Sequence, residues 1–443
     1  MNYYIFTFGC QMNVSDSLWL DRSLQSMGLK PCTREDEADI FLINTCSVRE
    51  KPEQKIYSLL GRLYEYTRDR PHVFAGVGGC VAQQVGKGFL ERFPFVRLVF
   101  GTDGLVMVPE AIKRLLKDRH LKTSLLDFQD HYPERNGYLP EKAPVQAFVN
   151  IMQGCNNFCA YCIVPYTRGR QKSRSSAEIL RECAGLVSRG CREITLLGQN
   201  VNSYGQDKEG REMPFSELLR RVAGLPGLER LRFTTSPPKD IDKKVIQAFG
   251  ELPVLCPHLH LPLQSGSDRM LSSMGRRYTR DDYLRIVEKL RSSCPDISLT
   301  TDLIVGFPGE TNADFEDTME MVERVGFDSS FSFKYSDRPG VRAASMHPKI
   351  EDEIKTERLA RLQKLQSDLT RDRLAGRVGR QEPVLVEGRS KKQGPSDTVS
   401  WTGRDPGGRL VHVHLPVERD CTGELLGVTI VRAHKHSLSG EVI

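Results

Sequence analysis

Three cysteines, Cys10, Cys46 and Cys80, stand 36 and 34 residues apart, and each falls where a β-rich run gives way to a helical pattern. Residues 3–8 form such a run ahead of a helix from about 14 to 27, and residues 38–44 precede a helix from about 53 to 66. Residues 73–77 and 96–100 extend the series. Strands alternating with helices predict parallel βαβ units, here a doubly wound parallel sheet in an α/β domain. In such a sheet the carboxyl ends of neighbouring strands share one edge, and ligands bind there. The three thiols are expected to converge at that edge. Gly9, Gly78 and Gly79 beside them allow tight turns and the approach of a bulky group. A single thiol at a strand end would be unremarkable. Three at one topological point suggest an iron–sulfur cluster with one iron left open.

A second strand–helix series begins at residue 145. Its strands are expected near 147–152, 194–197, 231–235, 258–263, 299–305 and 330–335, with helical stretches such as 177–188 and 283–292 between them. Six units suit a partial (β/α)6 barrel, since a full eight-unit barrel typically takes about 250 residues. Residues 120–143 are polar, contain Pro133 and Pro140, and are expected as a linker. A charged helix is expected over about 351–374. The tail from residue 378, with short β-rich pieces at 383–386, 410–415 and 426–431, predicts a small all-β domain. The expected domains are therefore 1–119, 144–377 and 378–443, with the linker at 120–143.

Just after the first strand of the second series stands Gly154-Cys155-Asn156-Asn157-Phe158-Cys159-Ala160-Tyr161-Cys162. Three thiolates within eight residues can hold three corners of a cubane. Zinc is the competing occupant, but structural zinc takes a fourth protein ligand, and no matching CxxC or HxxxH accompanies this motif. With no fourth cysteine nearby, the fourth iron would be free for a small molecule.

No apolar run approaches the roughly 20 residues that span a bilayer, and the N-terminus does not read as a signal peptide. A cytoplasmic protein is expected, where disulfides are rare. Twelve cysteines then call for metal binding in the clustered sets and burial for Cys32, Cys183, Cys191, Cys256, Cys294 and Cys421. Net charge is +6, which permits a nucleic-acid partner without requiring one. Arg168, Arg170, Lys172 and Arg174 place four cations in seven residues after the second cysteine motif. By composition alone they read as a solvated loop. Beside a barrel mouth they are expected to contact RNA phosphates, with Arg276 and Arg277 extending the patch. The tail from residue 378 has nine Lys and Arg against eight Asp and Glu, so charge does not mark it as RNA-binding.

The C-x3-C-x2-C motif with Tyr161 before its last cysteine resembles the radical S-adenosylmethionine (SAM) signature. The resemblance to one branch, the methylthiotransferase family, covers nearly the whole chain. It is carried by Thr7 to Asn13, by Asn44-Thr45-Cys46-Ser47-Val48-Arg49-Glu50-Lys51 and by Gly76 to Ala82. It continues through Cys162 to Arg170, Leu197-Gly198-Gln199-Asn200-Val201-Asn202-Ser203-Tyr204, Leu263 to Asp268 and Val305-Gly306-Phe307-Pro308-Gly309-Glu310-Thr311. The tail resembles a TRAM domain, an RNA-binding module. Ser236-Pro237-Pro238 departs from the family, where a His before a single Pro is expected; this puts a local substrate or cofactor contact in question.

The resemblance implies two [4Fe-4S] clusters. Cys155, Cys159 and Cys162 would hold the radical-generating one, and Cys10, Cys46 and Cys80 the auxiliary one that handles sulfur. Tyr161, Gly198, Gln199, Asn200 and Gly306 would contact SAM, the last along its adenosyl part; plain turn glycines are the alternative there. The implied reaction is methylthiolation of N6-dimethylallyl adenosine beside the tRNA anticodon, at position 37. SAM would serve as both methyl donor and radical source, and a donor such as flavodoxin or ferredoxin would supply electrons. The competing expectations are a sister enzyme acting on threonylcarbamoyl-adenosine or a ribosomal protein, and a non-enzymatic metal-stabilised RNA-binding protein.

Overall fold

A computed structural model of the chain describes residues 1–47, 52–135, 139–207, 210–390, 398–416 and 420–443. The stretch Val48-Arg49-Glu50-Lys51, weighed above for the family, lies outside them.

The first domain is a parallel six-stranded sheet of β1 (Asn2–Thr7), β2 (Lys30–Pro31), β3 (Ile40–Thr45), β4 (Phe74–Gly79), β5 (Val96–Phe100) and β6 (Thr123–Leu125), in the order β2-β1-β3-β4-β5-β6. Its central strand β3 is buried along its whole length, the pattern of a strand covered on both faces. Ile40 and Leu42 face one apolar core, which holds Leu20 and Leu24 of helix α1 (Gln11–Ser26). Phe41 and Ile43 face the other, with Ile56, Leu59, Leu60 and Leu63 of helix α2 (Pro52–Tyr64). The sheet is thus doubly wound. Strand β6 lies inside the stretch expected as a linker. Arg135 of the same stretch pairs with Asp16 of α1 at 2.7 Å, so this segment packs as part of the fold.

The central domain begins with β7 (Gln146–Asn150). A short antiparallel pair, β8 (Met152–Gln153) and β9 (Lys172–Ser173), follows it and brackets the Cys155–Cys162 loop. Strands β10 (Glu193–Leu197), β11 (Arg230–Thr234), β12 (His258–His260), β13 (Ser298–Val305) and β14 (Ser329–Lys334) complete six parallel strands in two triplets, β11-β10-β7 and β12-β13-β14. The triplets meet where Leu231 bridges Leu255 in parallel. The result is the expected open (β/α)6 barrel, one continuous core from Ala147 to Leu362. The helix Asp352–Ala375 packs against β14 and leads into the last domain. A buried Arg358–Glu310 pair at 2.7 Å fixes it to the loop after β13.

The C-terminal domain closes five strands into a barrel: β15 (Gln381–Arg389), β16 (Thr398–Arg404), β17 (Leu410–Pro416), β18 (Leu425–Ala433) and β19 (Leu438–Val442). Its β16–β17 turn seals the amino-terminal end of the central barrel. Arg230 donates to the carbonyls of Arg404 (2.7 Å) and Pro383 (2.6 Å), Arg232 donates to the carbonyl of Asp405 (3.1 Å), and Arg409 pairs with Asp328 at 2.6 Å. Among the described residues no helix is long and apolar enough to cross a membrane.

At this seal the His258 ring lies near Gly408. Burial holds the imidazole down from its usual 6.5 to about 3, helped by the surrounding Arg232, His260, Arg409 and Arg404. Below about pH 6.5 the unfolded chain binds a proton here that the folded chain does not, so stability falls as pH falls between those two values. A His258→Gln variant is expected to lose less stability than the parent between pH 7 and 5, by up to about 1.4 kcal/mol per pH unit. Parallel melting-temperature profiles for the two proteins would exclude His258 as the source.

Candidate active site

The first three thiols leave adjacent strands at one edge. Cys10 caps α1 after β1, Cys46 follows β3, and Cys80 opens helix α3 (Cys80–Val85) directly after β4. The register Thr7↔Asn44 and Asn44↔Gly78 aligns the strand ends. Two glycines leave the thiols no alternative backbone. A Cβ on Gly9, at φ +113, would lie 2.1 Å from Cβ of Cys46, and one on Gly79, at φ +88, would lie 2.2 Å from the Thr45 carbonyl. Beneath the thiols, the Asn13 amide donates to Asn44 Oδ1 (2.8 Å) and to the Thr45 carbonyl (2.9 Å), while Cys10 Sγ donates to Asn13 Oδ1 (3.2 Å). A hydrogen bond from Cys46 pushes the Cys10 thiol down to about 5 against the opposing effect of burial, and the Arg168 charge assists.

The second trio sits on the loop after β8. Gly154, at φ +77, passes so close to Arg170 that a Cβ would lie 2.1 Å from its carbonyl oxygen. Its N–H donates to Gln199 Oε1 at 2.6 Å, which ties the loop to the end of β10. Arg276 Nη1 donates to Cys159 Sγ at 3.4 Å, and its guanidinium stacks 5.1 Å from the Tyr278 ring centroid. Burial pushes the Cys155 thiol up, and the Cys162 thiol up to about 12. Cys155 and Cys162 therefore favour the thiol form until a cation binds.

All six cysteines line one cavity of about 1100 Å³ that runs from the sheet edge through the barrel mouth and down the barrel interior to the Arg404–Leu410 turn. Tyr161, Gly198 and Gln199 also line it. Asn200 and Gly306 do not lie on its wall. Asn200 is buried and donates to Asp240 at 2.6 Å. Gly306 is buried behind the mouth; its N–H donates to Glu310 Oε2 at 2.9 Å, and a Cβ would meet Lys355 Cγ at 2.3 Å. A packing role accounts for Gly306.

The basic loop is the larger correction. Arg168, Lys172 and Arg174 are only 3%, 6% and 5% exposed, and each is paired. Lys172 bonds Asp103, Arg174 bonds Glu178 and Glu182, and Arg168 lies 3.9 Å from Asp16. Arg170 alone is exposed, its guanidinium 5.3 Å from the Phe158 ring centroid. Arg276, expected to extend the loop, instead turns inward to Cys159.

Sequence reasoning did not find Thr235 (φ 73) and Gln264 (φ 75), which line the mouth in the left-handed region that non-glycine residues seldom adopt. It also missed Asp240, which receives the amides of both Asn157 (3.5 Å) and Asn200. At the departure noted above, Ser236 is fully buried with no hydrogen-bond partner for its Oγ, and Pro237 reaches the cavity.

The donor chemistry fits iron–sulfur clusters better than a lone ion. Among the described residues, no three His, Cys, Asp or Glu side chains gather tightly enough to hold a single metal ion. A cubane takes each thiolate at a different iron, so its ligands stand around a body rather than at a point.

An open (β/α)6 barrel with a three-cysteine loop after its first strand defines a radical SAM enzyme, and residues 149–322 match the Radical SAM superfamily. Residues 2–101 match the uncharacterized protein family UPF0004. The chain is 59% identical to the tRNA-2-methylthio-N(6)-dimethylallyladenosine synthase of Nitratidesulfovibrio vulgaris (strain Hildenborough), over 99% of this chain and 98% of that protein. Its identity is 56% to the one from Oleidesulfovibrio alaskensis and 48% to the one from Geobacter metallireducens, again over 99% of this chain and 98% of each relative. The chain belongs to the methylthiotransferase family, among the tRNA-2-methylthio-N(6)-dimethylallyladenosine synthases. Among solved structures it resembles the radical S-adenosylmethionine methyltransferase TsrM of Kitasatospora setae in fold, with TM-score 0.58, 13% identity and coverage of 77% of this chain and 76% of that one. The cobalamin-dependent enzyme OxsB gives TM-score 0.54, 12% identity and coverage of 82% and 56%.

Because the Gly9 and Cys46 Cβ positions exclude each other, Gly9→Ala is expected to displace Cys46 and cost the N-terminal site its iron. The Cys155–Cys162 site should keep its own, so anaerobically reconstituted protein would show about half the parent iron. Parent-level iron in that variant would show that the close approach at Gly9 does not matter.

Proposed function

We propose that this chain converts N6-dimethylallyl adenosine at position 37 of tRNA to its 2-methylthio derivative, with SAM as methyl donor and radical source. The observation that carries the reading is that both cysteine trios open into one cavity. At about 1100 Å³, it is slightly larger than the usual ligand site of roughly 300–1,000 Å³. A sulfur-handling site and a radical-generating site can then act on one nucleoside without moving it. The near-identical chain lengths shared with relatives of that name support the same substrate.

In this reading Cys155, Cys159 and Cys162 hold one [4Fe-4S] cluster, and Cys10, Cys46 and Cys80 hold the other. A reduced cluster held by Cys155, Cys159 and Cys162 would supply the electron for SAM cleavage. Gly198, Gln199 and Tyr161 line the wall where SAM would bind, and Gln199 holds the cluster loop in place through Gly154. Arg276 offsets negative charge at Cys159. The buried walls keep water from a reactive carbon. The work divides among residues 1–119 for sulfur, 144–377 for SAM and 378–443 for RNA, and a one-electron donor such as flavodoxin or ferredoxin supplies the electrons. Twelve free cysteines without a cross-link suit the cytosol.

The test is anaerobic reconstitution with SAM and prenylated tRNA, with 5′-deoxyadenosine and modified nucleoside measured in the same reaction. Replacing Cys10, Cys46 and Cys80 with Ala should leave SAM cleavage and abolish methylthio product. Full product from that variant would refute the sulfur role. Product only on threonylcarbamoyl-adenosine tRNA would reassign the substrate.

With three of the four loop cations buried, RNA contact at the mouth falls to Arg170 and its exposed aromatic neighbours, Phe158 (46% exposed) and Tyr166 (49%). Their rings lie edge to face at 6.4 Å. Unpaired bases stack on such rings for about 1–3 kcal/mol each. Tyr166→Ala is expected to weaken tRNA binding about tenfold or more. Arg170→Ala is expected to reduce the slope of log affinity against log salt by about 1. Unchanged binding in both variants would move the RNA contact elsewhere.

A further inference from the structure

Arg168 belongs to the central domain, yet its guanidinium lies at the N-terminal thiols and lines the same cavity. Its Nη2 donates to Asn13 Oδ1 at 3.3 Å, the same oxygen that accepts from Cys10 Sγ. Its Nη1 is buried without a hydrogen-bond partner. The nearest carboxylate, Asp16, is already bonded to Arg135 Nη2 at 2.7 Å, against 3.9 Å to Arg168. Two guanidinium groups thus share one carboxylate, and the Glu178 and Glu182 carboxylates are taken by Arg174. Arg168 is therefore matched only by a shared carboxylate at 3.9 Å, and a buried charge so weakly matched is disfavoured. The acidic groups facing it are the thiols of Cys80 and Cys10.

We propose that Arg168 is a positioning residue that reaches across the domain boundary to hold negative charge at the Cys10–Cys46–Cys80 site. The inference rests on reading those three cysteines as a cluster site. Hydrogen bonds and charge around a cluster set its reduction potential. The potential of the N-terminal cluster is then fixed from the other domain, and removing the positive charge lowers it.

The experiment uses the full-length chain with Cys155, Cys159 and Cys162 changed to Ala, reconstituted anaerobically and titrated with reductant while the reduced cluster is followed by electron paramagnetic resonance. Adding Arg168→Gln should lower the midpoint by about 59 mV, a tenfold change in the ratio of oxidised to reduced cluster for a one-electron couple. Arg168→Lys keeps the charge and should stay near the parent. Arg135→Gln removes the other guanidinium on Asp16, which does not line the cavity, and should also stay near the parent. Iron lost from Arg168→Gln alone supports the same charge requirement. Equal shifts in Arg168→Gln and Arg135→Gln, no shift in either, or iron lost from Arg168→Lys as well would overturn it. If the parent with only the N-terminal cysteines binds no iron, the cluster reading itself fails, independently of Arg168.

Discussion

Two buried carboxylates of the N-terminal domain hold the site together. Asp16 on α1 receives Arg135, Asn150 and Arg168, and Asp103 after β5 receives Lys172, Gln153 and the backbone N–H of Gln129. Each cationic partner comes from outside the first sheet. Breaking such a buried pair by removing one partner typically costs about 3–5 kcal/mol, because a charge is then left without a counterion. The pairs set the carboxyl edge of the sheet over the mouth of the barrel. Without that registration the two cysteine trios would be unrelated features of two domains.

The trios enter this arrangement in different electrostatic states. Cys10 is biased toward thiolate by its sulfur neighbour and by a cation, while burial keeps Cys155 and Cys162 protonated. Metal ligation requires the thiolate, and binding releases protons wherever the thiol is the resting form. Ligation at Cys155 and Cys162 therefore releases protons.

What could be read from sequence was local. Each N-terminal cysteine carries its own context, a β-rich run, a glycine or Asn-Thr pair and a helix start, so its place at a strand end follows from a dozen neighbours. The six barrel strands were legible for the same reason. The fate of Arg168 and Lys172 was not, because their partners Asp16 and Asp103 lie 152 and 69 residues away. Dense local charge reads as a solvated surface unless the distant carboxylates are known to arrive. The three-residue strand β6 was hidden by polar surroundings, with edge pairing to β5 as its main support. Strand β19, with Gly440 among polar residues, lacked the alternation that identified its neighbours. Asn200 was implied as a SAM contact by the family resemblance over Leu197 to Tyr204; its amide bonds Asp240, a partner 40 residues away.

The turn at Asp405–Arg409 gives the C-terminal barrel a second purpose. By closing the amino-terminal end of the central barrel with Arg230, Arg232 and Asp328, it makes the reaction chamber a vessel with a bottom. A chain cut before residue 378 would lack this floor. The appended module thus acts as a stopper, which binds it to the chamber even though none of its atoms need touch the reacting carbon.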